Sequence, residues 1–271
     1  MNQRKPLKEL NLLDKFLFDE AMDDPENVKT MLDIILSQNT NLKHPPQTEK
    51  EQRTSTDNRQ IRLDVYAIDE DDVIYEVEAQ KENTHNLPKR SRLYQGIIDS
   101  KLLPPGVVDF NLLNEVLIVL IMPFDLFGYG LYRYTFQMKC EEVPELKLDD
   151  GATRIFLNTR GKHPELVSPE LIELVKYMER STDEVSRELK SKRIQEMHRR
   201  VCRIKASEKT EVKYMQSWEE KILIKQEGER IGLERINRLN QKLIEQGRFD
   251  DLTKATSDSN YQKKLLKEFK I

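Results

Sequence analysis

Two short segments rich in β-branched and aromatic residues, Ile61–Ile68 and Val73–Gln80, flank the acidic run Asp69-Glu70-Asp71-Asp72. The arrangement predicts a β-hairpin, because each flank has strand propensity and the run between them has turn chemistry. Side chains alternate along a strand, so Ile74, Glu76, Glu78 and Gln80 share one face while Val73, Tyr75, Val77 and Ala79 share the other. On the preceding strand Arg62, Asp64, Tyr66 and Ile68 face away from Leu63, Val65 and Ala67. A three-residue loop at 70–72 opposes residues whose numbers sum to 142, setting Asp64 against Glu78 and Arg62 against Gln80. Opposed residues have Cβ atoms roughly 4.5–5.5 Å apart, so two carboxylates there repel unless a cation lies between them. Alternation alone leaves two readings open: a wet strand face that carries charge, or a site for a hard divalent ion.

Upstream, apolar residues from Leu12 to Leu36 recur at helical spacing, which predicts one helix, or two broken near Asp23-Asp24-Pro25. Residues 37–58 are polar and contain a Pro-Pro pair, so loop is expected, with room for one irregular edge strand. Downstream, a helix over Leu87–Leu103 ends at Pro104-Pro105-Gly106, and Val116–Met122 is apolar throughout, as a buried strand requires. Two more strands fit Leu131–Met138 and Thr153–Asn158. Ser168-Pro169-Glu170 then opens a long, charged helical region in which Gly228, Gly232 and Gly247 mark expected breaks. The pattern divides the chain into residues 1–162 and a helical C-terminal region, 163–271.

With 45 basic against 48 acidic residues, the overall charge of −3 offers no general attraction to nucleic acid, so any such role must rest on local clusters. The longest apolar run is far short of the roughly 20 residues that span a bilayer, and the N-terminal segment lacks a signal-peptide core, so a cytoplasmic protein without membrane association is expected. Cys140 and Cys202 lie far apart and read as free thiols. The four histidines, at 44, 85, 163 and 198, show no HxxxH spacing, which argues against a zinc enzyme; oxygen ligands alone favour magnesium, with manganese as the alternative.

The strings Arg62-Leu63-Asp64-Val65-Tyr66-Ala67 and Ile74-Tyr75-Glu76-Val77-Glu78-Ala79-Gln80 resemble the signature of the PD-(D/E)XK nuclease family transposases, the recombination-promoting nuclease group. Similarity continues in Leu87-Pro88-Lys89-Arg90-Ser91-Arg92-Leu93-Tyr94-Gln95, in Phe124-Asp125-Leu126-Phe127-Gly128 and in Leu157-Asn158-Thr159-Arg160-Gly161, covering most of the first 180 residues.

The resemblance implies an α/β fold with a restriction-endonuclease-like αβββαβ core, here followed by the charged helical extension. It implies magnesium held by Asp64 and Glu78, with Gln80 completing the catalytic set where the wider superfamily carries lysine. An amide cannot titrate and carries no charge, so Gln80 is expected to orient the attacking water while the metal activates it. The implied activity is DNA phosphodiester hydrolysis in recombination or mobile-element movement; the alternative is a non-catalytic DNA-binding or assembly protein that keeps the fold. Arg62, Lys81, Arg90 and Arg92 are candidate contacts to the DNA backbone. Arg62 serves equally well as a neutraliser of the carboxylates, and Glu76 reads more readily as a solvated carboxylate than as a ligand to a second ion. Basic residues between 184 and 209, among them Arg199, Arg200 and Arg203, offer a secondary DNA contact or a solvated helix face. The helical extension is a candidate surface for self-association.

Overall fold

A computed structural model describes residues 4–52 and 61–271, so the last part of the predicted 37–58 loop lies outside the described residues. The chain divides into two compact units, 1–210 and 211–271. The first holds a six-stranded mixed sheet ordered β1-β2-β3-β4-β6-β5. Its strands are β1 Gln47–Gln52, β2 Ile61–Ile68, β3 Ile74–Ala79, β4 Val116–Met122, β5 Arg133–Phe136 and β6 Ala152–Asn158. β1–β2 and β2–β3 pair antiparallel, β3–β4 and β4–β6 pair parallel, and β5 returns antiparallel to β6 on the far edge.

The hairpin keeps its expected register over Val65↔Val77, Tyr66↔Glu76, Ala67↔Tyr75 and Ile68↔Ile74. Its turn is organised by Asp69, whose carboxylate accepts the Asp71 and Val73 N–H groups and the Tyr75 hydroxyl at 2.6–3.0 Å. Asp72 takes a left-handed φ of 62°, the conformation that closes a three-residue hairpin loop. The pairing stops at Val65↔Val77, however, and β3 continues alongside β4 through Glu78↔Leu120 and Ala79↔Ile121. Asp64 and Glu78 are therefore not a ladder pair as the register predicts. The strands part there, and the Asp64 side chain instead accepts the Ala79 N–H.

Of the two readings of the Leu12–Leu36 periodicity the broken one holds: α1 Lys15–Met22 and α2 Pro25–Leu36 are separated at Asp23-Asp24. Asp24 caps α2 by accepting the Glu26 N–H, and Pro25 occupies the first turn, where its missing N–H costs nothing. Helix α3 Leu87–Asp99 makes the crossover between parallel β3 and β4 and buries Leu87, Ile97 and Ile98 with Ile118, Leu120 and Met122 of β4. Helices α4 Pro169–Glu179, α5 Asp183–Glu188 and α6 Lys192–Lys205 belong to the first unit, where α2 packs on α4 and α6. Ser168, Thr182 and Ser191 cap them with side-chain oxygens. Asp125, in the segment 124–128, is a loop organiser: it accepts the N–H groups of Phe127, Gly128 and Gly130 and the Tyr134 hydroxyl at 2.6–3.1 Å.

Helix α7 Glu208–Glu245 spans the boundary and runs unbroken through Gly228 and Gly232, contrary to expectation. Neither glycine has a neighbour within 4 Å of where a Cβ would sit, so each costs the helix only about 1 kcal/mol of propensity and no packing. Gly247, at φ +69°, does end it. In the second unit α7 turns into α8 Phe249–Ser257 and α9 Ser259–Glu268, which enclose a small core of Leu239, Leu243, Ala255 and Leu265.

Candidate metal centre and the charges around it

Where β2 and β3 part, Asp64, Glu76 and Glu78 are all buried, Glu76 completely. The burial of Glu76 overturns its reading as a solvated carboxylate: β3 is buried along its whole length, and Ile74 on the same face packs with Leu87, Ile97 and Ile98 of α3. Both Glu76 oxygens and Oε2 of Glu78 lack a hydrogen-bond partner. Orphaned buried carboxylate oxygens are costly, and a native site that retains them has a ligand or proton to satisfy them.

Two cations reach the cluster from neighbouring helices. Lys15, in the first turn of α1, pairs with Asp64 Oδ1 and at 3.1 Å with Asp19 Oδ2. Arg90, in α3, donates from Nη2 to Glu78 Oε1 at 2.6 Å and also to Oε1 of Gln80. Sequence reasoning missed Lys15 and Asp19 as members of this site, because they stand about 50 residues from the hairpin and only the packing of α1 on β1 and β2 brings them in. Their one local signal is the i,i+4 spacing that pairs them on one helix face.

Asp19, Asp64, Glu76 and Glu78 carry four negative charges when ionised, and Lys15 and Arg90 supply two positive ones. The deficit of two is met by two protons or by one divalent cation. In the absence of metal, protonation is favoured. Burial pushes Glu78 up to about 7, with Arg90 opposing and the Asp64 charge reinforcing the rise. Burial also pushes Asp19 up to about 7 against the pull of Lys15, and raises Glu76 well above the carboxylate range with help from Glu78 and Asp64. Asp64 is raised as well, because its burial outweighs Lys15. Lys15 itself would be lowered by burial, but Asp64 and Asp19 together hold it above its usual value. An all-oxygen donor set with unpartnered oxygens and a charge deficit of two has the chemistry to take up protons or a hard cation, but its carboxylate oxygens are not gathered within 4.8 Å of one another among the described residues.

Gln80 lies beside this cluster with both ends of its amide engaged, Oε1 by Arg90 and Nε2 by the Glu82 carbonyl. The positive charge that an amide lacks is thus placed next to it by Arg90. Arg62 is not beside Gln80 as the register predicts. It pairs with Glu51 across the β1–β2 ladder and forms ion pairs with Glu49 at 3.0 Å and Glu51 at 3.7 Å. It does share a cleft of about 390 Å³ with Asn86, Lys89, Arg90, Leu93 and Tyr94, so Arg62 and Arg90 of the candidate DNA contacts are brought together. Lys81 turns away to pair with Asp14, whose carboxyl is lowered by that bond and the Asn11 N–H in spite of its burial. Arg92 is exposed on α3 and does not line the cleft.

Three basic residues of the segment 184–209 are committed to tertiary contacts, while Arg199 and Arg203 are exposed. Arg193 bonds Glu170 and lies 3.5 Å from Asp33, Arg200 donates to Asn27 at 2.7 Å, and Lys205 donates to the Ser181 carbonyl. Neither the solvated face with i,i+4 pairs nor a free DNA contact describes these three residues.

A second cluster was not anticipated. Among the described residues, Asp183, His198 and Cys202 bring one ligand atom each within 4.8 Å of one another. HxxxH spacing between histidines does not cover it, although His198-x-x-x-Cys202 has the same i,i+4 geometry on α6. No protein-family model matches the chain, and neither a curated protein nor a solved structure does.

Proposed function

We propose that the first unit is a metal-dependent DNA endonuclease that hydrolyses phosphodiester bonds, with Asp64 and Glu78 as metal ligands and the cleft of Arg62, Lys89 and Arg90 receiving the DNA backbone. The observation that carries the reading is the buried charge deficit at Asp64, Glu76 and Glu78 directly beside a cationic cleft, since Arg90 belongs to both. Element order supports it too: helices, an antiparallel three-strand run, a crossover helix and a parallel strand follow the αβββαβ sequence of restriction-endonuclease-like cores. A role in recombination or mobile-element movement rests on the motif resemblance.

Each residue has a distinct task in this reading. Asp64 and Glu78 hold the cation, and Glu76 contributes the negative field that attracts it into the sheet. A magnesium ion held by Asp64 and Glu78 would supply a bound water of lowered pKa and positive charge for the phosphoryl oxygens. Arg90 keeps Glu78 and Gln80 in one orientation and points its charge toward a backbone phosphate. Lys15 holds Asp64 and can fall back on Asp19 when Asp64 turns to a metal. Tyr94 and Leu93 form the apolar wall of the cleft.

A DNA-binding protein without catalysis is the second reading, favoured by the fact that Lys15 and Arg90 already occupy one oxygen each of Asp64 and Glu78. Incubating supercoiled plasmid with the protein separates the two. Nicking or linearisation in magnesium or manganese, absent with chelator, is the expected result; retarded but intact plasmid under every condition selects the binding protein. The cleft makes its own prediction. Arg62→Ala with Lys89→Ala is expected to weaken DNA binding evenly across sequences and to reduce the slope of log affinity against log salt by about one to two, one for each lost phosphate contact. An unchanged slope in fluorescence anisotropy titrations removes the cleft from the DNA-binding surface.

A further inference from the structure

We propose that Asp183, His198 and Cys202 form a second metal site, distinct from the carboxylate cluster, that takes zinc with an open fourth position. His198 and Cys202 stand one turn apart on α6, and Asp183 projects from the first turn of α5, whose N-terminus Thr182 caps. The three ligand atoms converge: His198 Nε2 lies 2.8 Å from Asp183 Oδ1 and 3.4 Å from Cys202 Sγ, and the Sγ to Oδ1 distance is 3.7 Å. Tetrahedral zinc with usual bond lengths separates such atoms by about 3.3 Å for N and O, and by about 3.5 Å for S to either. The two sulfur edges already agree, and the third opens by about half an ångström when the direct contact between carboxylate and imidazole gives way to a shared ion.

The orientation of the imidazole separates a metal site from a nucleophilic triad. A Cys-His-Asp relay needs the thiol on one ring nitrogen and the carboxylate on the other. Here the carboxylate takes Nε2 and the buried Tyr177 hydroxyl lies 2.9 Å from Nδ1, while Cys202 Sγ is nearer Nε2, at 3.4 Å, than Nδ1, at 3.9 Å. Convergence of a thiol and a carboxylate on one nitrogen, with the other nitrogen fixed by a buried partner, is the arrangement of a metal-ligating histidine. On binding, the thiol proton is released and the ring proton moves to Nδ1, where the Tyr177 oxygen accepts it. Mixed nitrogen, sulfur and carboxylate ligands suit zinc and are poor for magnesium. With three protein ligands the fourth position falls to water or a solute entering the adjoining cavity of about 470 Å³, which Lys8, Thr182 and Lys205 also line.

The test uses the full chain and cobalt(II) as a spectroscopic substitute for zinc. One equivalent of cobalt is expected to produce a thiolate-to-cobalt charge-transfer band and intense visible bands of tetrahedral geometry, displaced by zinc. Cys202→Ser is expected to abolish the charge-transfer band, and Cys140→Ser to leave it intact. Zinc affinity by competition should fall at least about tenfold in Cys202→Ser and in Asp183→Asn, since loss of even an outer partner costs about 10–100-fold. Asp183 is exposed and Cys202 half-buried, so circular dichroism should show both variants folded, which His198 variants, with their buried Tyr177 contact, would not guarantee. Absence of the charge-transfer band in the wild type, or its survival in Cys202→Ser, overturns the site. Neither result bears on the carboxylate cluster, which contains no sulfur.

Discussion

Asp64→Ala is expected to lower magnesium-dependent plasmid cleavage about a thousandfold, the upper end of what loss of one group acting in the transition state costs. Glu78→Ala should do the same. The chain is expected to stay folded in both cases, and the structure gives the reason. When Asp64 is removed, Lys15 keeps its ion pair with Asp19, and when Glu78 is removed, Arg90 keeps its bond to Gln80. Neither truncation leaves a cation alone, and each relieves repulsion within a cluster that has more carboxylates than cations. Single-turnover cleavage with calorimetric magnesium binding checks the expectation: both should be lost while the circular dichroism spectrum is unchanged. Wild-type cleavage by either variant would remove that residue from the catalytic set.

The hairpin was legible because two independent signals agreed, the period-two alternation and a turn whose length sets the register. Alternation also placed Glu76 and Glu78 on one face, but it says nothing of what covers that face. Glu76 is buried because a helix packs over the face it shares with Ile74, a fact of tertiary structure. The same limit hid the end of the ladder after Val65↔Val77, since strands diverge where a crossover begins rather than where residue types change. β1, with the sequence Gln47-Thr48-Glu49-Lys50-Glu51-Gln52, has no apolar alternation and is a strand because β2 offers it a ladder. Lys15 and Asp19 required the docking of α1, which no local pattern encodes. The Asp183, His198 and Cys202 cluster was partly legible: the i,i+4 pair stood in the sequence, and only the third ligand depended on tertiary structure.

The metal-free protein should lose stability as pH rises from about 5 to about 8, opposite to the behaviour of a protein held by carboxylate ion pairs. The sign follows from proton counting. Glu78 and Asp19 are pushed up to about 7, above the range they occupy in an unfolded chain, and Glu76 is raised further. Between the unfolded and folded values the native state holds protons that the unfolded state has released. Raising the pH then favours unfolding, by about 1.4 kcal/mol per pH unit for each proton so held. Above the folded values the protons are gone and the penalty is complete, with up to four carboxylates facing Lys15 and Arg90 alone. A divalent ion offers the other way to meet the deficit, but it must compete with those protons. Magnesium or manganese is therefore expected to raise the melting temperature markedly at pH 8 and hardly at all at pH 5. The measurement is a melting series across this pH range in chelator and in saturating metal, repeated with Glu76→Gln, which removes one of the proton-holding groups and should flatten the metal-free slope. A metal-free stability that is level or climbs toward pH 8 would mean that the cluster is ionised without help, and with that the case for a cation among Asp64, Glu76 and Glu78 would fail.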